Sequence, residues 1–325
     1  MLDATALHFM SQPFNVNHYA VFNDIATYVK RLLGFGINSV YIEDEIFDDV
    51  QTRSCLTDET KTAAMQAVAE AYKNLANSKD LDESQTRHAA KNIASEVHMA
   101  MTEPINFFNL YAVNDPRCLH AVNVASIVAA LALKYDCNLP AVGEYVTAAL
   151  LHDIMLEKMD YESNNFEYAV IAAERLKEMR TFPVRTYMSV AMHHEKFDGT
   201  GGLRHLSGDK ISEGARMIAV ADLYDSIVYG YGRPRQNLHL TVEYLNSEAN
   251  KALDPLFLCY FNQTVAVYPT GATVILNNGL RAVVVNQNEH MPTRPTVRLL
   301  MPERTDCLRF NLVTQRTMFI EKLEL

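Results

Sequence analysis

Apolar residues recur at helical spacing through most of this chain. Tyr19 to Leu33 puts Val21, Ile25, Tyr28, Val29 and Leu32 on one face, and Gly34 and Gly36 close it. Ser39 to Ile42 is a short β-prone run, followed by Glu43, Asp44, Glu45, Asp48 and Asp49, which form either a solvated acidic loop or a cation site. Thr57 to Leu75 is helical again, with a cap and early acids in Thr57-Asp58-Glu59. Asn77 to Ser84 reads as a break, and Gln85 to Asn109 as a further helical region with Pro104 as a kink or restart. Leu119 to Leu133 is a strongly apolar helix carrying His120, and Pro140 suits the first turn of the next, which runs to His152-Asp153. Asn165 to Met179, Pro183 to His194, Ile211 to Tyr229 and Thr241 to Lys251 complete six helices in a row. After Tyr268-Pro269 the period changes to that of strands. Thr273 to Leu276 and Ala282 to Val285 flank Asn277-Asn278-Gly279 as a hairpin, and Thr296 to Leu300 and Thr317 to Ile320 follow.

The pattern predicts a mainly α protein, with a helical bundle core, a small mixed N-terminal region and a small β-rich C-terminal appendage. The boundaries fall at 1–100, 101–262 and 263–325. At 325 residues and 49% hydrophobic, the chain has ample material for a core. A net charge of -10 without a Lys/Arg-rich run argues against binding a nucleic-acid polymer through a basic surface. The five cysteines are scattered, which suits a reducing compartment. The start lacks a basic and then apolar leader, and the longest apolar run, Ala121 to Leu133, is too short to cross a bilayer. A soluble cytoplasmic protein without membrane contact is the expectation.

Candidate chemistry lies within the helices. His120, His152, Asp153, His193, His194 and Asp222 are separated by 32, 41 and 28 residues from cluster to cluster. Each interval is about one helix, a loop and part of the next helix, so the side chains can converge in a bundle core. Imidazoles and carboxylates in this ratio suit two transition metals, with one carboxylate bridging. Paired metals of this kind turn water into hydroxide at neutral pH and stabilise an in-line displacement at phosphorus.

The order of these residues resembles the HD-GYP domain proteins of bacteria, a subgroup of the HD superfamily of metal-dependent phosphohydrolases. The pattern there is an early His, then His-Asp-x-Gly-Lys, a lone His, His-His-Glu-x-x-Asp-Gly-x-Gly-Tyr-Pro, and an Asp in an Ala-Asp-x-x-Asp helix. Here His120 matches the early His, and His152-Asp153 the doublet. His193-His194-Glu195 and Asp198-Gly199-Thr200-Gly201 match the long motif, and Asp222 lies in Ala221-Asp222-Leu223-Tyr224-Asp225. The resemblance extends to Gly36–Glu45, Thr57–Val68 and Tyr268–Val285. It implies an HD-type helical core holding a metal centre, with iron the foremost occupant and manganese or zinc as others. It also implies hydrolysis of cyclic di-GMP, with Asp153 bridging the metals as the catalytic carboxylate.

Several positions depart from that pattern. Met155-Leu156 stands for Gly-Lys, and Gly202-Leu203 for Tyr-Pro. Tyr168 takes the place of the lone His, as either an unusual ligand or a packing residue. Pro116 falls where three-metal members carry a Glu, which favours two metals. The cations left to hold phosphate are Lys158, Lys196, Arg216, Arg233 and Arg235, with Arg216 equally suited to a structural ion pair. The glycine loop after Asp198 is a lid or only a turn. Two functions follow: a metal-dependent phosphodiesterase of cyclic dinucleotide signalling, or a degenerate member that binds a nucleotide or a signalling protein. An oligomer is compatible with either.

Overall fold

A computed structural model describes residues 55–76, 81–101, 115–156, 166–288, 291–300 and 308–324, save 203 and 237. It also describes residue 50 and a two-residue antiparallel pairing of His8–Phe9 with Gln12–Pro13. The predicted elements between Tyr19 and Glu45, the acidic run to Asp49 and Pro104 lie outside the described residues.

Nine α-helices are present among the described residues. They are α1 (Asp58–Ala76), α2 (Glu83–Ala100), α3 (Pro116–Lys134), α4 (Leu139–Leu151) and α5 (Glu167–Glu178), then α6 (Val184–Met192), α7 (Glu213–Tyr229), α8 (Leu238–Ser247) and α9 (Pro255–Thr264). Their starts follow from local chemistry. The Asp82 carboxylate accepts from the amides of Ser84 and Gln85, Asp115 from that of Arg117, Asn138 from that of Ala141 and Asp254 from that of Leu256. Each satisfies an amide that has no partner within its helix. Pro116, Pro140 and Pro255 lie in first turns, where a missing N–H costs nothing.

Helix α3 is the axis of the bundle. It is apolar all round and buried from Ala121 through Ala132, with α1, α2, α4, α7 and α9 packed about it. It is longer than the run seen in the sequence. At 19 residues it is the one described helix long and apolar enough to cross a membrane, yet 78% of its apolar window is covered by the rest of the fold. The neighbouring helices account for its composition. Helix α2 turns Ala89, Ala90, Ile93, Ala94 and Val97 inward at spacings of three and four.

Two expectations need correction. The sequence pattern predicts six helices counting the one that carries His120, and none at α9, whose Phe257 and Phe261 are fully buried. It also placed the last strand at Thr317–Ile320. The structure has strands β1 (Thr273–Leu276), β2 (Arg281–Asn286), β3 (Thr296–Leu299), β4 (Arg309–Asn311) and β5 (Ile320–Leu323), so the last is shifted and β4 was unforeseen. All neighbours pair antiparallel, in the order β4-β3-β2-β1-β5. Val274, Leu276, Ala282, Val284, Val297 and Leu299 form its buried face.

Candidate metal centre

The His-Asp doublet lies where α4 ends. His152 is the helix's C-cap, with φ −60° and ψ −39°, and Asp153 begins the turn beyond it. His193 and His194 occupy the same place after α6. Helix ends let adjacent side chains reach one point, which they cannot do within a helix, where successive residues diverge. His120 projects from the second turn of α3, and Asp222 from the middle of α7.

The six predicted metal ligands meet in the bundle core as two groups of three. One is His120, His152 and Asp222, and the other is Asp153, His193 and His194, with ligand atoms in each group within 4.8 Å of one another. Asp153 stands between them. Its Oδ2 lies 4.0 Å from Nε2 of His120 and 3.6 Å from Nε2 of His152, while its Oδ1 lies 3.7 Å from Nε2 of His193. A carboxylate presenting one oxygen to each group has the disposition of a bridge.

The imidazoles are oriented from behind. Nδ1 of His152 donates to the Ala149 carbonyl at 2.7 Å, and Nδ1 of His193 to that of Val190 at 2.8 Å. A carbonyl oxygen only accepts, so each ring carries its proton on Nδ1 and turns a bare Nε2 to the centre. Nδ1 of His120 is held by the carboxylate of Asp225 at 2.7 Å. Nε2 of His152 is buried without a hydrogen-bond partner, and Nε2 of His120 faces Oδ1 of Asp222 at 3.2 Å. Orphaned buried nitrogens are costly unless something fills them, and a cation does. The donor set of four imidazoles and two carboxylates suits a divalent transition metal, so the residues fit the group.

The electrostatics agree. Burial raises the carboxyl of Asp153, but the surrounding imidazoles of His152, His193 and His120 outweigh it, and the group is held far below the usual carboxylate range. Burial would lower His120, yet its bonds to Asp222 and Asp225 lift it to about 10. Burial and then the charge of His193 push His194 down to about 3. Strongly shifted groups in one buried cluster are characteristic of functional sites.

Tyr168, the seventh candidate, is 5% exposed and its hydroxyl donates to Oδ1 of Asp153 at 2.7 Å. The same oxygen also meets Nε2 of His194. Tyr168 therefore belongs to the group of His193 and His194. The predicted phosphate contacts fare differently. Arg216 is not part of the centre: its Nη1 binds Asp254 at 2.5 Å and Asp209 at 3.2 Å, and its guanidinium lies over Phe257. The ion pair expected as one reading of Arg216 is present. Lys196, Arg233 and Arg235 are exposed, and Lys158 lies outside the described residues.

Four residues at the centre were not picked out from the sequence. Asp225 is one, although its spacing of three from Asp222 was a legible signal for a shared helix face. Tyr72 of α1 donates its hydroxyl to the Asp153 carbonyl at 3.1 Å. Tyr231 stacks on His120, with centroids 4.2 Å apart, and Phe166 stacks on His194 at 4.2 Å. No short-range pattern announces these three.

The glycine loop is a fastened turn. The amide of Asp198 donates to the Lys251 carbonyl at 2.8 Å, and that of Gly208 to the Phe197 carbonyl at 2.9 Å. Glu195, buried beside the histidines, accepts from the amides of Arg204 and Leu206 at 2.9 and 3.1 Å. A Cβ on Gly201 would lie 2.7 Å from the Lys196 nitrogen and 2.9 Å from the His194 carbonyl oxygen, both backbone atoms. Gly201→Ala should therefore displace His194, with a loss of about 1–3 kcal/mol of stability and a lower metal content. Thermal melting and metal analysis of the variant would check this, and unchanged values for both would contradict the geometry.

Comparison with known proteins agrees with this arrangement. Residues 160–256 match the model of the HD domain, and residues 273–324 that of a KOW domain associated with the HD domain. A cyclic di-GMP phosphodiesterase of Pseudomonas aeruginosa is 26% identical over 275 residues, covering 78% of this chain and 66% of its own length. Another, of Borreliella burgdorferi, is 23% identical, covering 56% of this chain and 52% of its own length. The chain thus spans less than two thirds of these relatives. A solved HDG"Y"P protein of Bdellovibrio bacteriovorus shares 16% identity at a TM-score of 0.48, over 74% of this chain and 80% of that one. The HD-domain match over residues 160–256 and the converging ligand set agree on a site suited to divalent metals. The chain is similar to cyclic di-GMP phosphodiesterases that carry such a domain, with Met155-Leu156 and Gly202-Leu203 in its altered motifs.

Proposed function

We propose that this chain hydrolyses cyclic di-GMP at a binuclear metal centre, as a cytoplasmic component of bacterial signalling. The observation that carries the reading is Asp153, buried between two triads of ligand atoms with one carboxylate oxygen toward each. The names of the relatives support the same substrate class. Iron is the proposed occupant, held by His120, His152 and Asp222 on one side and by Asp153, His193 and His194 on the other. Divalent cations bound there supply Lewis acidity toward the phosphodiester and lower the pKa of a coordinated water.

The chain's own groups do the remaining work. Asp225 and the carbonyls of Ala149 and Val190 keep three imidazoles aimed inward. Tyr168 holds Oδ1 of Asp153 and so fixes the rotation of that carboxylate. Tyr72 fixes the backbone of the same residue. Tyr231 and Phe166 cover His120 and His194 with apolar surface, which keeps bulk water off these rings.

The test is product analysis. Protein purified anaerobically, loaded with iron and assayed for metal on the same sample, should convert cyclic di-GMP to the linear dinucleotide or to GMP over many turnovers. Intact substrate with about two metals per chain would overturn hydrolysis and turn the reading to a nucleotide- or protein-binding signalling module.

A further inference from the structure

This inference rests on the phosphodiesterase reading and concerns how the substrate's charge is met. A cyclic dinucleotide carries two phosphodiesters. Metals held at the centre can face one of them, and fixed cations of the protein around it are suited to the other. In the chain's HD motif, Leu156 stands where a lysine is usual, and that side chain carries no charge. Arg216 is held by Asp254, and Lys196, Arg233 and Arg235 are exposed on the surface.

Arg117 stands in a different relation to the site. It lies in the first turn of α3, three residues before His120, and so on the same side of that helix. Its guanidinium carbon is 5.1 Å from the centroid of the Tyr72 ring. The hydroxyl of that ring donates to the carbonyl oxygen of Asp153 at 3.1 Å. Cation, ring and bridging residue thus form one continuous run from the start of α3 into the metal centre.

The arginine is anchored as well as placed. Asp115, the N-cap of α3, receives Nε at 3.1 Å and Nη2 at 3.0 Å. One edge of the guanidinium plane is thereby fixed, and its orientation over Tyr72 is set before any ligand arrives. The side chain is 33% exposed, so part of the group is open to solvent. A planar fork of this kind suits phosphate oxygens better than a point charge does.

We propose that Arg117, backed by Tyr72, is the residue that binds a phosphate of the substrate, in place of the lysine missing from the HD motif. It takes no part in breaking the bond. Its role is affinity and register, and its chemical partner is a phosphodiester oxygen of a cyclic dinucleotide.

The test compares wild type with Arg117→Ala, Arg117→Lys and Arg117→Gln, all loaded with metal. Binding is read by equilibrium dialysis against a phosphorothioate analogue of cyclic di-GMP, and turnover with cyclic di-GMP itself. Arg117→Ala should weaken binding and raise KM by about ten- to a hundredfold, with kcat and metal content little changed. Arg117→Lys should fall between it and wild type. Arg117→Gln preserves the length of the stem and serves if the alanine variant melts early. Affinity within about twofold of wild type, at equal metal content, would overturn the proposal. If wild type neither binds nor turns over the cyclic dinucleotide, the functional reading fails, and inorganic phosphate becomes the probe. Phosphate binding at least about tenfold weaker in Arg117→Ala would keep Arg117 as an oxyanion contact, and equal binding would dismiss it.

Discussion

Asp153→Ala protein is expected to fold, to lose metal from both triads at once, and to retain less than about a thousandth of the wild-type hydrolysis rate. The double loss follows from geometry. Oδ2 faces His120 and His152, and Oδ1 faces His193, so its carboxylate presents an oxygen to each group. Removing one carboxylate should therefore cost two sites, whereas loss of His194 or Asp222 should weaken one. The measurement is metal content per chain beside turnover, with circular dichroism to establish that the helices remain. Asp153→Asn refines it, because the amide keeps the shape and hydrogen-bonding reach but not the charge. A variant with a full complement of metal would show that Asp153 does not bridge.

Asp225→Ala should weaken metal binding by about ten- to a hundredfold, although Asp225 itself is not a ligand. Its Oδ2 holds Nδ1 of His120 at 2.7 Å inside a fully buried pocket. Without it, the His120 ring loses both the partner that fixes its orientation and the negative charge that makes Nε2 more basic. Asp225→Asn should sit between the two, since an amide oxygen can still accept from Nδ1. Competition with a chelator of known affinity would measure this, and His152, whose Nδ1 is held by the Ala149 carbonyl and not by a carboxylate, provides the internal comparison. Equal affinities in wild type and Asp225→Ala would mean that His120 is aimed by packing.

The ligand set was legible because chemistry and spacing coincide. His120, His152-Asp153, His193-His194 and Asp222 recur at intervals of one helix and a loop, and in the structure all six converge. Most helices were legible for the same reason, since their caps and apolar periods are local. What escaped was set by distant partners. Arg216 finds Asp254, 38 positions on, and nothing near Arg216 in the chain announces that pairing. Tyr72 reaches Asp153 across 81 positions. Helix α9 was overlooked although Asp254-Pro255 is a proper start, because Leu256–Phe261 is so rich in apolar and aromatic residues that no polar face marks the period. The last strand was misplaced by the tempting β-branched and aromatic residues of Thr317–Ile320. The register with β1 begins only at Ile320 and runs into Glu321-Lys322-Leu323, whose polar residues point to solvent from an edge strand.

The apolar interior described above is continuous: one cluster runs from Cys55 and Leu56 through α3, α4, α7 and α9 to Val297 and Ile320 of the sheet. This sets the smallest piece of the chain that can be cut out and still work. A fragment limited to the HD match at 160–256 would leave behind His120, His152 and Asp153, half of the ligand set. It would also shear off Phe257, Leu258 and Phe261, which seal the underside of α3. A cut just before α3 would remove Tyr72 and open the faces of α3 and α4 that α1 and α2 cover. For anyone dissecting this protein or grafting it onto another input, the working unit begins no later than Cys55 and ends no earlier than the last strand.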